Sequence, residues 1–97
     1  MSLQEFKASL SRASPPAGMP VLATALWYDA KGEWEMAHTL AQEINSRTGS
    51  WVHGYLHRKE GDESNARYWY ARAGRTFARI PLSAEWEEMV IPCLTSK

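Results

Sequence analysis

Cysteine is nearly absent. The one thiol, Cys93, excludes an internal disulfide and any cysteine-rich zinc site. A surplus of one charge sign is also missing, since eleven Lys and Arg balance eleven Asp and Glu. A dedicated nucleic-acid binder or a polybasic membrane protein normally carries clear positive excess. Long apolar runs are lacking too. The longest, Val21 to Tyr28, is broken by Thr24 and is far too short to span a bilayer. Glu5 and Lys7 interrupt the start, and no apolar signal segment follows, so the expected compartment is cytoplasmic. The glycines stand singly and form no phosphate-binding loop. No stretch alternates strictly enough to read as a strand.

Ninety-seven residues with 44% hydrophobic and 23% charged side chains suit one small globular domain. The punctuation is helical. Ser2 and Glu5 have capping-box spacing, and Leu3, Phe6 and Leu10 recur at helical intervals, which predicts a helix over 3–13. Ser14-Pro15-Pro16-Ala17-Gly18 ends it. Residues 1–18 are thus read as an N-terminal helix and proline-rich linker, and 19–97 as the main domain. Pro20 opens a second helix that ends at Gly32, and a third runs from Glu33 to Asn45. Gly49 is read as a break with Ser50 capping a fourth helix over 51–60. Asp62 caps a fifth that stops at Gly74. Ser83 caps a sixth, which Pro92 should kink or end.

Two windows align at an offset of 29 residues: Gly32-Glu33-Trp34-Glu35-Met36-Ala37 and Gly61-Asp62-Glu63-Ser64-Asn65-Ala66. In each, Gly supplies a tight turn and a small Ala follows where two helices would approach closely. Ala66, Tyr70 and Ala73 form one stripe; Ala37, Ala41 and Ile44 form its counterpart. With Gly54 upstream of one unit and Tyr28 upstream of the other, residues 20–74 resemble a tetratricopeptide-repeat protein, with the family's period of about 34 shortened. The fold expected is all-α: two stacked antiparallel helix pairs flanked by N- and C-terminal helices.

The resemblance implies a non-catalytic module that binds a protein or peptide on the face of the first helix of each pair. On this chain that face carries Leu22, Leu26 and Asp29 from one unit and Trp51, Tyr55 and Arg58 from the other, with Asp29 and Arg58 near enough to pair. The reading takes this face as an open or half-open groove. The alternative is that the last helix folds over it, burying Trp51 and Tyr55 under Trp86, Met89 and Val90.

Other chemistry is thin. His53 and His57 stand at i, i+4, a spacing that can ligate one metal. They are read as structural histidines, hydrogen-bonded to a neighbour such as Asn65 or a tyrosine, so no metal and no cofactor are assigned. An enzyme dependent on a metal or ligand at His53 and His57 is the alternative, and a structural homodimer is a third. Arg58, Lys59, Arg67, Arg72, Arg75 and Arg79 interleave with Tyr68, Trp69 and Tyr70, a pattern that suits RNA stacking. Arg67, Arg72 and Arg75 are read instead as a solvated face and Tyr70 as part of the core stripe, because the chain as a whole is neutral. Glu85, Glu87 and Glu88 are read as charge bias at a helix N-terminus. Cys93, with no histidine near it in sequence, is read as a buried or terminal thiol.

Overall fold

The computed structural model describes residues 1–96. It contains helices α1 (Leu3–Ser9), α2 (Val21–Ala30), α3 (Trp34–Gln42), α4 (Arg47–Glu60), α5 (Glu63–Arg72) and α6 (Leu82–Leu94), and no strand among the described residues. The fold is all-α. Helices α2 and α3 form one antiparallel pair, α4 and α5 the other, and α1 and α6 flank them.

The glycines of the aligned windows do the same work twice. Gly32 and Gly61 adopt φ of +82° and +93°, a left-handed turn that a Cβ would strain. Beyond each turn, Ala37 and Ala66 are completely buried at the pair interfaces. Gly54 lies against α5, where an added Cβ would meet Tyr70 and Ala66 at 3.1–3.3 Å. The capping box of α1 is formed: Ser2 N–H donates to Glu5 at 2.7 Å and Glu5 N–H to Ser2 Oγ at 3.1 Å. Asp62 caps α5 by accepting from Asn65 N–H.

Four boundaries differ from the sequence reading. Helix α1 stops at Ser9 rather than at 13, and α3 at Gln42 rather than at Asn45, each passing into a turn. Helix α4 begins four residues earlier, at Arg47, with Ser46 rather than Ser50 as its cap. Gly49 sits inside the first turn because a Cβ there would lie 2.1 Å from the Ile44 carbonyl oxygen. Its role is close approach, not interruption. Helix α6 opens from the Pro81 carbonyl, so Ser83 falls within the first turn. Pro92 is carried in the last turn, and the helix continues to Leu94.

Helix α6 lies across α2 and α4 and also meets α1. Phe6 packs on Trp86 with ring centroids 5.6 Å apart, and Trp27 Nε1 donates to Ser9 Oγ, so the N-terminal helix is docked on the same core. No helix among the described residues is long and apolar enough to cross a membrane.

The two packed glycines should respond differently to substitution. Ala in place of Gly within a helix gains about 1 kcal/mol of propensity. At Gly54 that gain should nearly offset the tight contacts. At Gly49 the backbone must move, and Gly49→Ala should cost about 3 kcal/mol, the upper range of overpacking. Urea unfolding of both variants checks this.

Candidate functional site

The six residues expected to line a groove do share one face, but the chain covers that face itself. Leu22, Leu26, Asp29, Trp51 and Tyr55 are buried, and the Arg58 side chain is 15% exposed. Trp86 Nε1 donates to the Leu26 carbonyl at 3.1 Å, and Met89 and Val90 are fully buried beside it. The open groove is therefore closed by α6. A chain this small gains more from covering a leucine–tryptophan surface than from leaving it wet.

The covering helix is held by polar groups the sequence reading placed elsewhere. Glu85, expected as charge bias at a helix N-terminus, does lie in the first turn of α6 but is 1% exposed. Its Oε2 accepts from Trp51 Nε1 at 2.9 Å and Tyr70 OH at 2.5 Å, and its Oε1 from Arg58 at 2.7 Å. Arg58 also donates to the Ile80 carbonyl. The expected Asp29–Arg58 pair is absent because Glu85 takes the guanidinium. Asp29, 2% exposed, accepts instead from Tyr55 OH at 2.6 Å and Lys59 at 2.9 Å. Burial, followed by the adjoining carboxylates, drives both tyrosine hydroxyls well above their ordinary pKa.

What stays accessible of the face is a cleft of about 330 Å³ at its edge. Tyr55 and Asp29 form its floor, Leu10, Leu82 and Trp86 its walls, and Lys7, Lys59 and Glu87 its rim. Lys7 and Glu87 pair across the rim at 2.8 Å, both about half exposed.

The opposite side of α4 carries the histidines. His53 and His57 are buried, and α3 brings His38 against them, a residue the sequence reading left aside. His38 Nε2 and His53 Nε2 stand 3.0 Å apart. Asn65 reaches His57 Nε2 at 3.4 Å, as expected, and Glu60 bonds its Nδ1 at 2.6 Å. Trp34 stacks on His38 with centroids 4.9 Å apart, and Trp69 on His53 at 3.9 Å. Trp34 marks the signal that was available, since Trp34 and His38 stand at i, i+4 on the side of α3 that meets α4.

The arginines of α5 and the following segment lie over aromatic rings: Arg72 over Trp69 and Tyr68, Arg67 over Phe77, Arg75 over Trp51. Arg67, Arg72 and Arg75 are themselves exposed, as a solvated face requires, and Tyr70 is buried. Cys93 is fully buried, and burial pushes its thiol up to about 12, so it forms no thiolate nucleophile near neutrality. No protein-family model, curated protein or solved structure matches this chain.

Glu85→Ala would leave Arg58, Trp51 and Tyr70 without their acceptor in a buried site. It should cost about 3–5 kcal/mol, whereas the exposed Glu88→Ala should stay within about 0.5 kcal/mol. Chemical denaturation of the two variants reads this difference. The histidines set a pH dependence. Burial, then His38 and His57, lower the His53 pKa to about 4, and burial and His57 lower that of His38. An unfolded imidazole takes up its proton near pH 6.5. Below that pH the unfolded chain binds protons that the folded chain refuses. Stability should therefore be level above about pH 7 and fall as pH drops from about 6.5 towards 4. Thermal melts across this range check it, and His53→Gln should flatten the slope.

Proposed function

We propose that this chain is a non-catalytic binding module of tetratricopeptide-like design, which takes a bulky apolar side chain of a peptide into the cleft between α1 and α6. The cleft carries the reading. Its volume of about 330 Å³ falls within the range of sites that hold small ligands or single side chains. Its walls, Leu10, Leu82 and Trp86, are apolar, and it sits at the edge of the face where the repeat resemblance puts a peptide.

The polar groups at its floor favour binding over catalysis. Tyr55 donates to Asp29, whose other oxygen is held by Lys59. These groups satisfy one another, so a ligand meets a floor whose hydrogen bonds are already made. The rim can part at small cost, because an exposed pair such as Lys7–Glu87 contributes about 0–1 kcal/mol. An arriving peptide backbone can then use both side chains.

Selection of short peptides on the immobilised chain tests this. The selected peptides should share one bulky apolar residue, and Leu82→Asp should weaken them at least about tenfold, roughly 1.4 kcal/mol, when compared at a temperature where circular dichroism shows the variant fully folded. Peptides that bind Leu82→Asp as well as the parent chain, or a selection that yields none, would refute the cleft as the binding site.

A further inference from the structure

We propose that His38, His53 and His57 form a mononuclear site for a divalent transition metal of the zinc, copper and nickel group. The proposal is independent of the cleft, which lies on the other side of α4.

Geometry carries it. One ring nitrogen from each histidine falls in a set whose members all lie within 4.8 Å of one another. Metal–nitrogen bonds of about 2.0–2.1 Å in a tetrahedron put ligand nitrogens about 3.4 Å apart. The His38 and His53 Nε2 atoms, at 3.0 Å, already face each other at nearly that spacing. Binding requires side-chain rotation of the His57 ring to close a gap of at most 4.8 Å. Three imidazoles leave a fourth position for water or an external ligand, and imidazole is a donor that suits zinc, copper and nickel rather than calcium or magnesium.

The surroundings are those of a supported ligand set. Glu60 accepts from His57 Nδ1–H, which leaves the lone pair of that ring on Nε2. A carboxylate behind a ligating histidine fixes its tautomer and orientation and raises its basicity. Asn65, at 3.4 Å, is a long contact that a metal displaces at small cost. The rings of His38 and His53 are clamped by Trp34 and Trp69, and Trp34 is itself fixed by a 2.8 Å bond from its Nε1 to the Leu56 carbonyl. The ligands come from α3 and from two turns of α4, so bound metal would bridge the two helix pairs. His38 is only half-buried and gives the ion an entry edge.

The test uses the tag-free chain, stripped with chelator and titrated with zinc chloride in a calorimeter. Cobalt(II) in a parallel titration reports coordination geometry by its visible absorption. The expected result is one ion per chain, a tetrahedral cobalt spectrum, and a melting temperature that rises with free zinc by mass action. His38→Ala and His38→Gln should each lose the cobalt spectrum and at least about tenfold in zinc affinity. The Gln variant keeps a hydrogen-bonding partner for His53 and guards against a folding defect. Glu60→Gln, a change at a positioning residue, should retain the spectrum while weakening affinity by about 10–100-fold. Absence of binding at near-stoichiometric zinc, a stoichiometry other than one, or full affinity in both His38 variants would overturn the site.

Discussion

The buried carboxylate of Glu85 is the point on which the arrangement of this chain turns. It gathers Trp51 and Arg58 from α4 and Tyr70 from α5 onto α6. Through Arg58 it also fixes the segment that leads into α6, at the Ile80 carbonyl. An ion buried without partners costs several kcal/mol, so this one tolerates a single seating in which every oxygen is met. Apolar contact alone would let α6 slide or rotate on α4. The carboxylate gives the contact a register, and the register determines that the face of Leu22, Leu26, Trp51 and Tyr55 is closed. Asp29 acts in the same way one turn further along, binding Tyr55 and Lys59 and tying α2 to α4.

Both acids are served by α4, which explains why residues 49–57 of that helix are all buried. One face, with Trp51, Tyr55 and Arg58 at i, i+4 and i+7, engages α6 and α2. A second, at Gly54, touches the backbone of α5. A third, with His53 and His57, meets α3 and α5. A helix enclosed on all sides normally reads as uniformly apolar. This one carries a tyrosine, two histidines and a tryptophan whose Nε1 donates to Glu85, yet among the described residues no buried side-chain nitrogen or oxygen lacks a partner. The hydrogen-bond networks are what permit such a sequence in a central helix.

Much of the fold was legible in local chemistry. The glycine turns at 32 and 61, the alanines that follow them, the capping box at Ser2 and the cap at Asp62 all act through near neighbours, and the structure places each as expected. What was not legible acts over longer distances. Gly49 looks like a helix breaker until the Ile44 carbonyl is seen against it. Glu85 looks like one of three solvated acids. Its position was in fact encoded, because Glu85, Met89 and Cys93 stand at i, i+4 and i+8 on one stripe, while Glu87 and Glu88 fall outside it. Composition hid this, since a glutamate at the head of an apolar stripe reads as a cap rather than as a buried ligand of a guanidinium. His38 was hidden for the same reason. Its meaning depends on the crossing of α3 over α4, which no single periodicity contains.

The histidine cluster differs from the carboxylate networks in what it offers the fold. Glu85 and Asp29 are consumed: each oxygen has a donor, and removing either acid strands its partners. The three imidazoles are less committed. His38 and His53 bond chiefly to each other, while His57 is held through Nδ1 by Glu60 at 2.6 Å and its Nε2 meets Asn65 only at 3.4 Å. Their packing between Trp34 and Trp69 is aromatic contact, which phenylalanine would supply without a cost at acid pH. One nitrogen from each ring lies within 4.8 Å of the other two, and the His57 Nε2 is the one most weakly engaged by the protein. On α4, the groups that serve Glu85 and Asp29 and the histidines lie on separate faces, and the histidine face reaches solvent through the half-buried His38.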